Sequence, residues 1–546
     1  MRIGHLSILS LTLGTIVAGG WVAAPARAET IDELLELLMA KGAITQTEYD
    51  KLKARHQAEA KGGEDKVRAA EAKARTAEAK AREAEAKARE EKLRAADLGV
   101  PPAMPAKAPL QYVTVLPNCV GIRVGQVDIC VKGDISFFGI EQFTDKNAHP
   151  PAINGGLAAA SQQNANSIRG GLLPSSIQVS INTRQMGIDI GAYFGVYIGG
   201  NNIAAGIFNQ NAPGAPFAFG TAGVDFRQVY GTLGTPTFGT VKIGRDLGLF
   251  AADAILNDLT LFGVGSPGAN FAPGNTTLGR IGIGYIYADW IPQISYKSPN
   301  FNGFTVTAGL FTPLSEIPFS GDPESATLTG HDSPMFQGQL KYVGTFTPDT
   351  KLTLSTSGVV QRHQADCTAA IPAFGTSSCF TGAGAIVSEN ALSPGTSVTA
   401  WAVDGFGRLD IGGFSFVAYG YTGKGVGTTF LFFDGVDELG NTRRSYGGYL
   451  QGSYTFFNVL TLGGSWGASF LKTAGADDAE DQLDNCTATP QNTCLVRKNE
   501  SWIAFARYKL TDWVKLQAEF VHTRAENQIG QQIKDNAILA GTTFFW

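Results

Sequence analysis

Six cysteines fall into three couples that are close in sequence: Cys119/Cys130, Cys367/Cys379 and Cys486/Cys494. None of these couples has the Cys-X-X-Cys spacing of a zinc or redox site. In an exported chain, couples at such short range are typical of disulfides that close short loops. We therefore predict three disulfides at these positions, and neither a metal nor a cofactor.

The histidines offer little for catalysis, because they are scattered singly along the chain, at His5, His56, His149, His331, His363 and His522. A hydrolase built on a barrel needs Ser, His and a carboxylate or amide on one strand surface. Of the histidines, His522 alone falls in a predicted strand, and no serine motif accompanies it. The sequence therefore predicts that the protein is not an enzyme.

The first 28 residues have the pattern of a secretory signal peptide. Arg2 gives a positive start, Leu6–Val22 is apolar, and Ala26-Arg27-Ala28 is a small-residue cleavage site. No second apolar run reaches the roughly 18 to 20 residues of a helical membrane span. With 43 basic against 48 acidic residues, the chain has no basic excess to suggest nucleic acid. We predict an exported protein.

Residues 29–118 form a predicted stalk. Residues 29–60 hold two helices separated at Gly42, with Thr45 as the N-cap of the second helix and Glu48 completing a capping box. Residues 61–98 repeat Ala-Glu-Ala-Lys-Ala-Arg every seven positions, which aligns alanines from Ala70 to Ala88 along one face. Residues 99–118 are a proline-rich linker.

The stalk has two structural interpretations, a homo-oligomeric coiled coil, which we favour, and a single solvated helix. An alanine seam would hold chains together only weakly, because alanine buries little area. Its function also has several candidates: registration of a trimer, spacing from the cell wall, or binding to peptidoglycan.

Residues 119–546 form the last predicted domain, in which the period changes to two from about Val127 onward. This period is typical of strands with one apolar and one polar face. Sixteen candidate strands follow, from Val131–Phe143 to Ala537–Trp546, and they include Ile188–Ile198, Ile283–Lys297, Phe304–Phe311 and Lys351–Arg362. Short turns alternate with long loops rich in Gly, Pro, Ser and Asn, as in barrels whose turns face the periplasm and whose loops face outside. The pattern predicts an all-β fold: a 16-stranded antiparallel transmembrane β-barrel after an α-helical coiled-coil stalk.

Three stretches resemble the Gram-negative trimeric general-diffusion porins of the beta-proteobacterial and neisserial type. They are Phe226-Arg-Gln-Val-Tyr-Gly-Thr-Leu233 with Phe238-Gly-Thr-Val-Lys-Ile-Gly-Arg245, then Ile294-Ser-Tyr-Lys-Ser-Pro-Asn-Phe-Asn-Gly-Phe304, and the terminal Phe544-Phe-Trp546. The resemblance implies an outer-membrane homotrimer. It also implies that the third loop, from Asp246 to about Arg280, folds into the barrel and narrows the pore against a basic wall.

That loop carries Asp246, Asp253 and Asp258. Lysines and an arginine on polar strand faces are candidates for the wall, namely Lys242, Lys297, Lys341 and Arg408, and the family pattern adds Arg227 and Arg245. Acid facing base across a pore creates a transverse field that selects charged solutes. The alternative is that these are solvated charges with no role in transport.

We expect a passive channel for small hydrophilic solutes and ions in the outer membrane, with the stalk in the periplasm. Two alternatives remain. The barrel could be only an anchor tethered to the cell wall through the stalk. It could also be a substrate-selective porin, for example for anions or phosphate, although the sequence has no clustered ladder of Arg and Lys.

Overall fold

A computed structural model describes the chain in two compact units, Met1–Leu110 and Gln111–Trp546. The residues it describes are 45–51, 53–54, 113–116, 119–146, 148, 152–159, 166–198, 224–267, 276–318, 325–366, 392–393, 395–475 and 494–546. The predicted signal peptide and the heptad repeat lie outside these residues.

In the first unit, the described residues are helical from Gln46 onward. The backbone N–H of Thr45 donates to Oε2 of Glu48 at 2.9 Å, which is the backbone half of the predicted capping box. The second hydrogen bond of the pair differs, because the Thr45 hydroxyl also donates to the Glu48 carboxylate, at 2.9 Å. None of the helices in the described part of the chain is both long and apolar enough to cross a membrane.

The second unit is built from twenty strands: β1 Val113–Val115, β2 Val120–Val124, β3 Val127–Phe143, β4 Ile153–Asn154, β5 Asn166–Arg169, β6 Ser175–Gln185, β7 Ile188–Ile198, β8 Val224–Thr235, β9 Gly239–Leu247, β10 Trp290–Lys297, β11 Phe304–Phe311, β12 Met335–Thr347, β13 Thr350–Gln364, β14 Ser397–Ile411, β15 Phe414–Lys424, β16 Arg444–Phe456, β17 Leu460–Leu471, β18 Cys494–Lys509, β19 Val514–Asn527 and β20 Gln532–Phe545. Strand β3 and strands β6–β20 each pair antiparallel with the next. The last strand returns to the first, since Asn536 lies opposite Phe143 and Phe545 opposite Asp134. The predicted closed barrel of sixteen strands is confirmed.

Side chains alternate across the barrel wall with period two. On β14, Trp401 and Val403 are exposed on the outer face, whereas Ala402 is buried and Asp404 is half-buried on the inner face. Exposed aromatic side chains gather near the short turns, at Phe238, Tyr296, Phe301, Phe304, Phe346, Phe414, Phe456, Tyr508, Trp513 and Phe544. An apolar outer band edged by aromatic residues is what a lipid bilayer requires of a barrel.

The two ends of the barrel chain meet at its short-turn end. Strands β1 and β2 form a hairpin that sequence analysis did not predict, and β2 pairs with the start of β3. Trp546 exchanges two backbone hydrogen bonds of 3.2 Å with Gly133, where a Cβ would overlap the tryptophan ring. The terminal aromatic residue is therefore fixed against the first barrel strand.

The three predicted disulfides have different outcomes. The Cys119–Cys130 disulfide joins β3 to the residue just before β2, which confirms this couple. Cys494 is disulfide-bonded, whereas its predicted partner Cys486 lies outside the described residues. Cys367 and Cys379 both lie outside the described residues, so the disulfide between them stays a prediction.

Three long connections fold into the barrel, and we call their described parts the inward loops: residues 248–267 with 276–289, residues 312–318 with 325–334, and residues 425–443. Their apolar side chains form the main core with the inner wall, including Phe250, Ile283, Ile317 and Phe432, each fully buried. We expected one such loop and two that face outside. The difference arises because a wide barrel leaves space that apolar loop residues fill to escape water.

Two predicted strand limits are wrong for related reasons. Residues 283–289 belong to the first inward loop, not to β10, because Gly282 and Gly284 have positive φ angles and Ile283 packs inside the barrel. His363 lies within β13, not in a loop, and its ring packs against Phe432 of the third inward loop at a centroid distance of 4.5 Å.

Candidate pore constriction

The first inward loop carries a short helix, Ala252–Asn257, which we call the loop helix. Polar groups of the inner wall hold it in place. Oδ2 of Asp404 accepts the backbone N–H of Ala251 at 2.9 Å, and the Tyr449 hydroxyl donates to the carbonyl of Ala254 at 2.8 Å. These contacts come from β14 and β16, so the loop helix is fixed against one side of the barrel.

Asp253 of the loop helix contacts a basic residue of the wall directly. Its Oδ1 lies 2.5 Å from Nζ of Lys341, and its Oδ2 accepts hydrogen bonds from Ser355 at 2.6 Å and Gln339 at 3.2 Å. Acid and base therefore meet in one contact here, and do not face each other across an open lumen. This ion pair anchors the loop helix, and both of its residues also line the polar space beside the helix, described below.

The far end of the same loop is held by Glu519, which faces inward from β19. Its carboxylate accepts the backbone N–H groups of Val264, at 3.3 Å, and Gly265, at 2.9 Å. The loop thus crosses the lumen from β12–β14 to β19. Sequence analysis missed Glu519 and Asp404, although both stand at inward positions of an alternating strand, which is the signal that could have revealed them.

Replacing Glu519 with Ala should loosen the loop, because two buried N–H groups lose a charged acceptor worth about 1.5–3 kcal/mol each. We expect increased fluctuation of the open-channel current in a planar bilayer. Glu500→Ala is the matched control, since Glu500 lies on the neighbouring β18 and pairs with Lys498 at 2.8 Å. Equal current noise in the two variants would contradict the anchoring role.

On the short-turn side of the loop helix lies a polar space of about 540 Å³, which we call the chamber. Inward side chains of β8–β12 form its wall, and the loop helix covers one side of it. Its charged lining residues are Lys242, Lys297, Lys341, Asp246 and Asp253. The formal charge of the lining is therefore slightly positive.

The three chamber lysines differ in their partners. Lys242 pairs with Asp246, four residues along β9, and its Nζ lies 4.8 Å from the centre of the Tyr230 ring. Lys341 pairs with Asp253. Among the residues that the structure describes, no acidic side chain pairs with Lys297.

A second space of about 250 Å³ adjoins the chamber and is mostly apolar; we call it the aromatic pocket. The two spaces share four lining residues, Gln228, Leu247, Leu256 and Trp290. The other aromatic lining residues are Tyr193, Tyr197, Phe262 and Tyr287. A basic, polar space and an aromatic one therefore lie side by side next to the loop helix.

Arg227 is the charged residue of the aromatic pocket. It lies at a bulge of β8, 2.8 Å from Asp225, and its guanidinium lies 4.9 Å from the centre of the Tyr197 ring. Hydrogen bonds link this wall to the chamber, because the Tyr197 hydroxyl donates to Gln228 and the Gln228 amide donates to Asp246, both at 2.8 Å.

Three further predicted residues lie elsewhere. Asp258 is buried within the loop, where it accepts hydrogen bonds from Thr260 and Tyr285. Arg245 lies opposite Val229 and Pro292 in the strand register, on the face opposite to Lys242 and Asp246. Arg408 donates to Asn257 of the loop helix and to Asp410, at 3.0 Å each, and does not line the chamber.

Asp289, the last residue of the first inward loop, is buried. Burial raises the pKa of its carboxyl to about 7, against the opposing effect of the Trp290 backbone N–H, which donates to it at 2.6 Å.

Across the described ranges, no group of three or more His, Cys, Asp or Glu side chains is arranged to hold a metal ion.

Residues 138–528 match the profile of one protein family, described as Gram-negative porin. The chain belongs to the Gram-negative porin family. A search of curated sequences found no match. Porins are channels of the outer membrane through which solutes diffuse. A barrel whose lumen holds the first inward loop, which is the predicted third loop, fits that function.

The chain is also similar to solved structures at low sequence identity. The outer membrane channel DcaP of Acinetobacter baumannii is 12% identical, with a TM-score of 0.51 over 77% of this chain and 97% of that one. An anion-selective porin from Comamonas acidovorans is 13% identical, with a TM-score of 0.45 over 77% and 100%. The trimer form of OmpT from Vibrio cholerae is 13% identical, with a TM-score of 0.40 over 77% and 99%.

Proposed function

We propose that solutes and ions cross this porin through the chamber and the aromatic pocket, and that Lys242, Lys297, Lys341, Asp246 and Asp253 set its ion preference. The observation that carries the proposal is that two adjoining spaces run beside the loop helix and share lining residues. The remaining candidates, Asp258, Arg227, Arg245 and Arg408, support the shape of the loop and wall.

Conductance of the purified protein in planar bilayers tests this function directly. A stable, ohmic current in potassium chloride is the expected result. A barrel that inserts but carries no current would favour the alternative of a structural anchor.

We further propose that the protein is a homotrimer with its stalk in the periplasm. Membership of the porin family supports the trimer, and the heptad repeat supports association of the stalks. The chain enters β3 at the short-turn end of the barrel, and short turns face the periplasm in outer-membrane barrels. Binding of the stalk to peptidoglycan is a separate possibility, tested by sedimentation of the protein with purified cell wall.

Deletion of residues 29–98 should leave both the trimer and its conductance intact. The reason is that an alanine seam buries too little apolar area to hold three chains together, so the barrels must supply the contact. Native electrophoresis and single-channel recording would measure the two properties. Conversion of the deleted protein to monomers would show that the stalk holds the trimer.

A further inference from the structure

Leu256 is unusual among the exposed apolar residues of the described chain. It is 54% exposed, yet it lies on the loop helix inside the barrel, between the chamber and the aromatic pocket. Most other large apolar residues with such exposure face outward from barrel strands or lie in turns. An apolar side chain exposed to an internal water-filled path is unfavourable unless a passing molecule covers it.

The groups around Leu256 define what such a molecule would be. Trp290 lies beside it in the lining of both spaces, and the Trp290 ring is 5.8 Å from the Tyr197 ring, centre to centre. A volume of about 250 Å³ exceeds the roughly 150 Å³ of a dry cavity that holds a benzene-sized ring. The aromatic pocket therefore suits a small ring or a branched aliphatic group.

The charge of the site complements an anion. Lys297 has no acidic partner among the described residues, and it lines the chamber together with Leu256. An unpaired ammonium forms its strongest hydrogen bonds with a carboxylate or another oxyanion. A ligand with a carboxylate in the chamber and an apolar body against Leu256 would satisfy both groups together.

We propose that the two spaces form one binding site for small amphipathic carboxylates, with Lys297 binding the carboxylate and Leu256 and Trp290 binding the apolar body. This inference rests on the proposed conduction path. It adds a substrate class: carboxylates with a ring or a branched chain are retained and passed in preference to acetate or chloride.

Benzoate is the probe that tests the site. In a planar bilayer at neutral pH and constant ionic strength, benzoate replacing chloride should reduce the current in a saturable manner, at concentrations where acetate has little effect. Protonated benzylamine has the same ring with the opposite charge, and it should not reduce the current. Equal effects of benzoate and acetate would overturn the apolar half of the site, and equal effects of benzoate and benzylamine would overturn the cationic half.

Two variants assign the effect to the site. Lys297→Gln and Leu256→Asn should each raise the half-maximal benzoate concentration about tenfold, since each removes one of the two main contacts. Lys351→Gln and Leu439→Asn are the matched controls, because both residues are exposed and neither lines the two spaces. Unchanged benzoate sensitivity in Lys297→Gln and Leu256→Asn would overturn the proposal. Absence of any current in chloride alone would instead be a failure of the conduction path itself.

Discussion

Attachment of a bulky thiol reagent at position 297 should abolish most of the current. The Lys297→Cys variant places a reactive thiol in a chamber of about 540 Å³, so a maleimide with an aromatic substituent would fill much of that volume. Because the chamber adjoins the narrow aromatic pocket, a molecule fixed there leaves little room for hydrated ions. The measurement is single-channel conductance before and after the reagent is added to one side.

The controls separate block of the path from a general effect of the reagent. The unsubstituted protein should be insensitive, and Lys351→Cys should lose little current, because Lys351 lies outside the chamber. The reagent should also act faster from the short-turn side, toward which the chamber lies. Full current through a fully labelled Lys297→Cys channel would show that ions pass elsewhere in the barrel.

The strands could be predicted from the sequence because a lipid-facing barrel wall imposes a strict period of two. Ile188–Ile198 and Phe304–Phe311 were predicted at their observed limits. The same rule failed at residues 283–289, where Ile283 and Tyr285 alternate with glycines as a strand does, but are fully buried among the inward loops. An alternating pattern shows that the apolar side chains are kept away from water. It does not show whether they face lipid or the interior of the barrel.

The candidate site was predictable only in part, for a related physical reason. Lys242, Lys297 and Lys341 follow the inward alternation of their strands, so local sequence places them. Their partners depend on how residues far apart in sequence dock, as when Asp253 reaches Lys341 through the position of the loop helix. Leu256, in the loop helix, and Trp290, at the start of β10, carry no sequence signal for this site. The role of an apolar residue at such positions depends on the space beside it, which the sequence does not show.

Measuring ion preference is the sharpest test of the role of Lys242 and Lys341. When these two lysines are neutralised, their carboxylate partners stay in the chamber and keep their charge. The chamber now holds three lysines against two aspartates. The double variant Lys242→Gln/Lys341→Gln leaves Lys297 against Asp246 and Asp253, which reverses the sign of the formal charge. A unit charge at about 4 Å contributes about 1 kcal/mol in water and about 4 kcal/mol at an effective dielectric constant of 20.

We therefore expect the reversal potential in a salt gradient to shift toward cation preference, with a change in the permeability ratio on the order of tenfold, since about 1.4 kcal/mol corresponds to that factor. The matched control is Lys424→Gln/Lys534→Gln, which removes the same charge from exposed lysines that do not line the chamber. A shift of equal size in the control would mean that the net charge of the protein, and not the chamber, sets the preference. No shift in either variant would remove Lys242 and Lys341 from the account of selectivity and leave them as anchors of the wall and the loop helix.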